Sequence, residues 1–251
     1  APDYSVPYIL RKMLGKNEII PKKLRIVNFY GGKISPDEIR QIFQRYPNIN
    51  FIYSYGQTEA SPRVTYIERK DLETRMASCG KAISGVNVSI EAPRGECLSA
   101  YNEGEIVVSG DNVMCGYYRN ESLTQSVIIN NKLYTKDIGY LDEEGFLYVT
   151  GRKDNMFIIA GKNIHPEEIE TLALTYHEVK EALACLKKYK QVMGIVLYVV
   201  AHDLTTVNKR DLSEFLYENL EDYKVPREIV VIQEFEKTSS GKIVRRKYEE
   251  D

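Results

Sequence analysis

Two short apolar segments flank a clearly bounded helix near the start of the chain. The segments are LRIVNFYGG (24–32) and NINFIYSYG (48–56), and both end in glycine. Between them, SPDEIRQIFQRY (35–46) offers a serine suited to the N-cap, a proline suited to the first helical position and a glutamate three residues after the serine. Strand–helix–strand order is typical of a parallel α/β layer, so the sequence predicts part of such a layer.

The sequence pattern changes after about residue 78. Short alternating strands separated by glycine turns follow, with the sequences GVNVSIEA, GEIVVSG, KLYTKDIGYL and GFLYVTG. This pattern predicts a small antiparallel β-barrel or sandwich, and DEEG (142–145) predicts a hairpin turn within it.

A polar break, GRKDN (151–155), separates this region from a third one. There, strands and helices alternate in MFIIAG, HPEEIETLALTY, EALACLKK, GIVLYVVA, NKRDLSEFLYENL and REIVVIQ. They predict a compact α+β domain that begins between Lys153 and Asp154. The expected fold is therefore mixed α/β and α+β. Residues 1–153 form part of a large domain, with an α/β piece over about 1–78 and a β-barrel piece over about 79–153, and residues 154–251 form a small C-terminal domain.

Charge and cysteine content exclude several classes of function. The formal net charge is -2, so no general basic field favours nucleic acid as a partner. The cysteines form no C-x-x-C pair, which argues against a zinc site or a disulfide framework and fits reduced thiols in the cytoplasm; they are Cys79, Cys97, Cys115 and Cys185. No apolar run approaches the roughly 18 residues of a membrane span.

The C-terminal segment TSSGKIVRRKYEED (238–251) contains a Gly-Lys pair that suggests phosphate chemistry. A P-loop needs G-x-x-x-x-G-K-[ST], but Glu236 stands where its first glycine belongs and Ile243 follows the lysine. A P-loop is thus excluded, and Lys242 would act as a point charge on a loop. The basic run at 245–247, followed by acidic residues, predicts a solvated chain end.

Five stretches carry the residues of chemical interest: FYGGKIS (29–35), YSYGQTEAS (53–61), YTKDIGYLDEEGFLYVTGRKDN (134–155), IIAGKNIHPEEIE (158–170) and KTSSGKIVRRK (237–247). Each is an ordinary turn or strand end when taken alone. Together, and in this order, they resemble the C-terminal half of the adenylate-forming superfamily. That superfamily includes acyl-CoA synthetases, aryl-CoA ligases, adenylation domains of peptide synthetases and firefly-type luciferases. The resemblance covers about residues 5 to 248 and is strongest to acid–thiol ligases.

The resemblance implies a reaction in two steps. A carboxylate attacks the α-phosphate of ATP, which gives an acyl-adenylate and pyrophosphate. A thiol, usually that of coenzyme A, then displaces AMP. The implied cofactors are ATP, Mg²⁺ and coenzyme A, and the implied substrate is a small carboxylic acid, with fatty acids among the acids that such enzymes activate.

The resemblance also implies which residues hold the adenine. Tyr55 of the Y-G-x-T-E motif stacks on the base, and Gly56 follows it. Gly31 and Gly32 lie along the edge of the ring, where the absence of a β-carbon allows close approach.

The ribose and the phosphates are assigned to four further residues by the same resemblance. Asp137 accepts hydrogen bonds from the ribose hydroxyls, and Arg152 serves ribose oxygens and phosphate. Glu59 provides a carboxylate for Mg²⁺, and Thr58 places a hydroxyl near the phosphates.

Four residues after the β-barrel piece receive roles in the two half-reactions. Asp154 is the hinge about which the C-terminal domain rotates. Gly161 and Lys162 belong to the loop that lines the coenzyme A channel. Lys242 is the adenylation lysine, which stabilises charge on the attacking carboxylate and the α-phosphate.

One family feature has no counterpart in this sequence. The Ser/Thr/Gly-rich phosphate loop that ends in Pro-Lys-Gly does not occur before residue 29. The expectation is a fragment of a ligase that is inactive in adenylation by itself. Two alternatives stay open, an adenylation domain that loads a carrier protein and a non-catalytic nucleotide-binding remnant, as do the identity of the acid and the formation of a homodimer.

Overall fold

The computed structural model describes residues 25–30, 36–159, 161–189, 192–202, 208–238 and 243–249. The chain divides into two compact units, Ala1–Lys153 and Asp154–Asp251. Each unit has hydrophobic clusters of its own. Within the described part of the chain, every helix is too short or too polar to cross a membrane.

A four-stranded sheet opens the first unit. Its strands, in the order β1-β2-β3-β4, are β1 (Ile26–Phe29), β2 (Asn50–Tyr55), β3 (Thr65–Glu68) and β4 (Lys81–Ala82). Helix α1 (Pro36–Arg45) connects β1 to β2, which run parallel, so the predicted strand–helix–strand layer is confirmed. Strands β3 and β4 extend the sheet in antiparallel fashion, and a short helix, α2 (Arg69–Leu72), follows β3. The N-cap predicted at Ser35 lies outside the described residues.

Helix α1 is held on this sheet by its apolar face and by one arginine. Ile39, Ile42 and Phe43 are buried in a cluster with residues of β1 and β2, because positions three and four apart share a face of a helix. The guanidinium of Arg69 lies 4.4 Å from the centre of the Phe43 ring and donates to the carbonyl oxygens of Phe43, at 3.1 Å, and Tyr46, at 2.9 Å. Arg69 therefore satisfies carbonyl groups at the helix end that have no partner within the helix.

A five-stranded antiparallel sheet, curled into a half-barrel, forms the rest of the first unit. Its elements are β5 (Val86–Glu91), β6 (Gly104–Gly110), α3 (Glu121–Val127), β7 (Ile128–Ile129), β8 (Lys132–Leu141) and β9 (Leu147–Arg152). Strands β8 and β9 form a hairpin whose turn is the predicted DEEG segment. The Gly145 amide donates to the Asp142 carbonyl at 3.0 Å, and the Gly145 φ of 82° is one that glycine adopts without strain.

The second unit combines helices with a mixed sheet. Its elements are β10 (Phe157–Ile159), β11 (Lys162–Ile164), α4 (Pro166–Ala173), β12 (Val179–Tyr189), β13 (Val192–Ala201), α5 (Lys209–Asn219), β14 (Glu228–Ile232) and α6 (Arg246–Glu249). Strand β13 pairs antiparallel with β12 and parallel with β14. The predicted fold class, mixed α/β and α+β, is confirmed.

The sequence predicts that the basic run at 245–247 is solvated, but the structure shows this for only part of the run. The side chain of Arg245 is only 17% exposed and donates to Glu170 Oε1 at 2.6 Å and to the Ala184 carbonyl at 2.7 Å. The Ala184 amide donates to the same Glu170 oxygen at 2.9 Å. The prediction is wrong for Arg245 because a buried carboxylate 75 residues away requires a cation. Lys247, which is 58% exposed and pairs with Glu236, fits the prediction.

Candidate active site

Two donors converge on the carboxylate of Asp137 in the first unit. The Tyr55 hydroxyl donates to Oδ2 at 2.6 Å, and the Arg152 guanidinium donates to Oδ1 at 2.9 Å. The Asp137 side chain is 10% exposed, whereas that of Arg152 is 42% exposed. The family resemblance predicts a role in nucleotide binding for all three residues, and the fold brings them together from β2, β8 and β9.

The β8–β9 hairpin explains why Asp137 and Arg152 meet. They occupy directly opposite positions in the antiparallel ladder, so their side chains share a face of the sheet. The pairing of β8 with β6 is irregular at the same place, and Lys136 has a φ of 60°. The Thr135 hydroxyl closes this bulge, since it donates to the Ile106 carbonyl at 2.7 Å and accepts from the Asp137 amide at 3.1 Å. A bulge of this kind redirects a side chain relative to a regular strand.

Burial and charge keep the Tyr55 hydroxyl protonated. Its pKa is raised far above the usual value, first by burial of the phenol and then by the adjacent Asp137 carboxylate. Because only the protonated phenol can donate, the bond to Asp137 persists throughout the neutral range. The ring of Tyr55 is thereby fixed at the end of β2.

Gly56 connects Tyr55 to the turn that carries Glu59. A Cβ atom at Gly56 would lie 2.1 Å from the Pro62 carbonyl oxygen, so the two backbone segments approach too closely for any side chain. The 3₁₀ turn Thr58–Ala60 follows at once, with Thr58 exposed and Ala60 buried. The close approach closes the loop from Gly56 to Pro62, which carries Glu59, and the Val64 amide donates to the Tyr55 carbonyl at 2.8 Å just beyond it.

Glu59 is held at two atoms by the segment that precedes α3. Its Oε1 accepts a hydrogen bond from the Tyr117 hydroxyl at 2.8 Å, and its carbonyl oxygen accepts one from the Met114 amide at 2.8 Å. Tyr117 is not among the site residues predicted from the sequence. The two residues are 58 positions apart, and GYYRN (116–120) has no spacing that links it to the Y-G-x-T-E motif.

The remaining predicted site residues are not brought into this constellation by the described structure. Gly31, Gly32 and Lys242 lie outside the described residues. Asp154 lies in the 3₁₀ turn Lys153–Asn155, at the border of the two units. In the second unit, the Gly161 φ of 77° favours glycine, and the Lys162 ammonium lies 4.0 Å from the centre of the Tyr223 ring.

The Glu59 carboxylate fits a Mg²⁺ ion whose other ligands come from the phosphates of a bound nucleotide and from water. In the parts of the chain that the structure describes, no group of three or more His, Cys, Asp and Glu side chains could hold a metal ion. Mg²⁺ is commonly bound by one or two protein carboxylates together with substrate phosphates. The single carboxylate of Glu59 suits such a shared site.

Comparison with known proteins identifies the family. The family described as AMP-binding enzyme matches residues 4–118, and the AMP-binding enzyme C-terminal domain matches residues 168–242. This chain belongs to the adenylate-forming, AMP-binding enzyme family. The predicted resemblance is therefore confirmed, and the two matches fall on either side of the border between the units.

Several adenylate-forming relatives are CoA ligases. The 2-succinylbenzoate–CoA ligase of Bacillus cytotoxicus is 33% identical over 92% of this chain and 47% of its own length. The o-succinylbenzoate CoA synthetase of Bacillus subtilis, in complex with its acyl-adenylate, is 28% identical with a TM-score of 0.88 over 97% of this chain and 50% of that one. Its complex with ATP and magnesium is 30% identical with a TM-score of 0.86, over 95% and 49%. The chain thus spans about half the length of the relatives it matches.

Proposed function

We propose that this chain supplies the nucleotide-binding residues and the C-terminal domain of an ATP-dependent acid–CoA ligase. The observation that carries the proposal is the convergence of Tyr55, Arg152 and Asp137, beside a Glu59 that is held by its own partner. Family membership and the relatives named as CoA ligases support the same activity.

The adenosine end of the nucleotide would occupy the Tyr55 side of the site. The Tyr55 ring offers a flat surface for adenine, with Gly31 and Gly32 along the ring edge. The Asp137 carboxylate has the acceptor capacity that two ribose hydroxyls require. Arg152, whose guanidinium is partly exposed, adds donors for ribose oxygens and neutralises phosphate charge.

The phosphate end would lie toward the Thr58–Ala60 turn. Glu59 would share in binding Mg²⁺, and the exposed Thr58 hydroxyl would donate to a phosphate oxygen. When bound, Mg²⁺ would supply charge neutralisation for the triphosphate. Lys242 would stabilise the negative charge that develops when the substrate carboxylate attacks the α-phosphate.

The second half-reaction would use the C-terminal unit. We propose Asp154 as the hinge, since it begins that unit. Gly161 and Lys162 would border the coenzyme A channel, where a glycine without a side chain leaves room for a narrow pantetheine arm. Coenzyme A, rather than a carrier protein, is the proposed thiol because the closely matching relatives are named as CoA ligases.

The proposed acid is an aromatic acid of the 2-succinylbenzoate type. The sequence resemblance alone points as readily to fatty acids. Relatives that match over nine-tenths of this chain are named for 2-succinylbenzoate, which favours that acid as the first substrate to test.

An assay of the gene product tests this function. The protein is supplied with ATP, Mg²⁺, coenzyme A and either 2-succinylbenzoate or a medium-chain fatty acid, and AMP and acyl-CoA are quantified by chromatography. The expected result for the full-length gene product is equal formation of AMP and acyl-CoA with 2-succinylbenzoate, whereas the 251-residue chain alone should bind AMP without forming the acyl-adenylate at a useful rate. Binding of AMP to the protein is titrated in parallel. Absence of both AMP binding and AMP formation would leave a non-catalytic remnant and refute the proposal.

We further propose that the protein acts in the cytoplasm and forms a homodimer. Cys97 and Cys115 are exposed free thiols, which supports a reducing compartment. Sedimentation of the purified protein tests the dimer, and fractionation of cells tests the location.

A further inference from the structure

We propose that Tyr117 is a positioning residue at the phosphate end of the site. Its hydroxyl holds the Glu59 carboxylate in the orientation that Mg²⁺-bound ATP requires. The inference rests on the proposed function, because it takes Glu59 as the residue that faces the metal. Its own basis is a set of contacts between the Thr58–Ala60 turn and the segment before α3.

This segment braces the turn at backbone level. The Met114 amide donates to the Glu59 carbonyl at 2.8 Å, and the Asn112 side-chain amide donates to the Ala60 carbonyl at 3.0 Å. In the other direction, the Ser61 hydroxyl donates to the Asn112 carbonyl at 2.8 Å. These three bonds fix the Glu59 backbone but leave its side-chain torsions free. The bond from the Tyr117 hydroxyl to Oε1 is what restricts the carboxylate itself.

Tyr117 is in turn anchored away from the site. Its amide donates to Thr124 Oγ1 at 2.9 Å, and that hydroxyl donates to the Asn120 carbonyl at 2.9 Å. Gly116 has a φ of 147°, and a Cβ there would lie 2.8 Å from the Thr124 methyl group. The backbone conformation at Gly116, directly before Tyr117, is therefore one that only glycine permits. The bond from the Tyr117 amide to Thr124 means that α3 sets the position of the phenol. A residue held in this way restricts its partner at little entropic cost on ligand binding.

The chemistry of the phenol agrees with a donor role. A phenol is protonated at neutral pH, so the Tyr117 hydroxyl donates to Glu59 Oε1 throughout the neutral range. With Oε1 engaged by Tyr117, the second carboxylate oxygen would be the one that serves the cation.

The test compares two tyrosine-to-phenylalanine variants that each remove one Tyr–Glu hydrogen bond. Tyr117→Phe removes the bond to Glu59, whereas Tyr134→Phe removes a bond of 2.7 Å to Glu91, which is not part of the proposed site. ATP affinity is measured by calorimetry with and without Mg²⁺, AMP affinity is measured without it, and thermal unfolding of each protein is recorded.

The expected result is specific to the metal-dependent part of ATP binding. Tyr117→Phe should reduce the Mg²⁺-dependent gain in ATP affinity about tenfold, the size expected for a hydrogen bond to a charged group. AMP affinity should stay within about twofold of the parent value. Tyr134→Phe should leave both affinities unchanged, whatever its effect on the unfolding midpoint.

Two further variants separate the possible failures. Glu59→Gln should lose the Mg²⁺-dependent gain, and addition of Tyr117→Phe to it should cause no further loss, because the tyrosine acts through Glu59. The inference is overturned if Glu59→Gln behaves as expected but Tyr117→Phe retains the gain, or if Tyr117→Phe weakens AMP binding equally. If the parent protein shows no Mg²⁺-dependent gain in ATP affinity, or if Glu59→Gln keeps that gain, the proposed role of Glu59 fails, and the inference fails with it. Should Tyr117→Phe not fold, Thr124→Val tests the anchor instead: it keeps the phenol but removes the acceptor of the Tyr117 amide, and it should reduce the Mg²⁺-dependent gain in ATP affinity by a smaller factor, whereas an unchanged gain would overturn the inference.

Discussion

Single residues set the geometry of the proposed nucleotide site through hydrogen bonds that cross between sheets. Tyr55 ends a strand of the first sheet, yet its hydroxyl reaches Asp137 in the half-barrel, and Arg152 reaches the same carboxylate from the next strand. Neither oxygen of Asp137 is left to solvent alone. Tyr55 and Arg152 already hold the Asp137 carboxylate in place before a ligand binds. A ribose whose hydroxyls donate to that carboxylate would therefore require little reorganisation of its side chain.

The role of Asp137 can be tested with a pair of nucleotides. Asp137→Asn should weaken AMP binding at least tenfold, about 1.5 kcal/mol, because an amide accepts weakly and loses the ion pair with Arg152. In the parent protein, 2′-deoxy-AMP should bind several-fold more weakly than AMP. In Asp137→Asn the two should bind alike, as measured by calorimetry. An undiminished preference for AMP in the variant would show that the ribose is recognised elsewhere.

Gly56 gives a prediction about stability. Gly56→Ala should lower the free energy of unfolding by about 2 kcal/mol, because its Cβ overlaps the Pro62 carbonyl oxygen and overpacking of this kind strains the backbone. Gly95→Ala is the comparison, because a Cβ at Gly95 would meet only open space. Gly95→Ala should lower the free energy of unfolding by about 1 kcal/mol, since an alanine is strained at a φ of 86°. Denaturant unfolding measures both. Equal losses would show that the turn adjusts to the methyl group.

Sequence reasoning located the four residues of the site that carry recognisable motif letters. Tyr55, Glu59, Asp137 and Arg152 are assigned because the motifs that contain them resemble, in the same order along the chain, those of the adenylate-forming superfamily. Their roles toward a nucleotide stay predictions. Tyr117 could not be found in this way, since its importance comes from a tertiary contact with Glu59 that no local pattern records.

At the scale of elements, strands β5 and β8 are linked by a buried carboxylate. Glu91 is 1% exposed and accepts from the Lys132 ammonium at 2.8 Å and the Tyr134 hydroxyl at 2.7 Å. Burial by itself would raise its pKa, but the hydrogen bonds from Lys132, Tyr134 and Ser89 outweigh burial and lower it. The ionised form is therefore the one that stabilises the half-barrel.

This carboxylate predicts a pH dependence of stability. A carboxyl group with a lowered pKa in the folded state contributes its full stability above its pKa in the unfolded chain, and this contribution is lost as the pH falls through the lower, folded pKa. The free energy of unfolding should therefore decrease below about pH 4.5. Glu91→Gln should cost about 2 kcal/mol at pH 7 and should flatten this decrease. The exposed Glu96→Gln is the control, and an identical acid slope in all three proteins would contradict the assignment.

The Arg245–Glu170 pair leads to a prediction about the second unit. Arg245→Ala should reduce stability by about 3 kcal/mol, because it leaves the Glu170 carboxylate buried without its cation. Lys247→Ala removes an exposed pair with Glu236 and should change stability by less than about 1 kcal/mol. Chemical denaturation followed by circular dichroism compares them. Similar losses in the two variants would mean that the Arg245 pair is solvated.

Elements with strong local signals were predicted, and very short ones were not. Helix α1 and strands β2, β8 and β13 have periodic apolar positions and clear end signals. Strand β4 and helix α2 have two and four residues, too few for a period to be read. Their existence depends on pairing with β3 and packing against it, which are tertiary effects.

At the scale of the whole molecule, the chain is built from two units with separate hydrophobic clusters. Phe51 and Ile106 are buried in clusters of the first unit, and Ile169 and Leu197 are buried in a cluster of the second. Units with their own cores can unfold separately, in which case a single unfolding free energy does not describe the protein.

This division predicts two unfolding transitions that respond to different substitutions. In denaturant titrations, Glu91→Gln should lower the midpoint of one transition and Arg245→Ala that of the other, because the two residues lie in different units. The double variant should show both shifts in full, since distant sites are additive. One shared transition, moved by either substitution, would show that the units unfold together.

The DEEG turn has a consequence for protein engineering and for natural variation. Its length, together with the register shift between Ile138 and Gly139, fixes which residues of β8 and β9 stand opposite each other, among them Asp137 and Arg152. A single inserted or deleted residue there would shift the register by one and send the two side chains to opposite faces. Libraries that vary residues 143 and 144 but keep Asp142, which accepts from the Phe146 amide at 2.9 Å, and Gly145 should yield working proteins, whereas those that vary the length of the turn should not. The turn thus acts on the distant Asp137–Arg152 pair through its length.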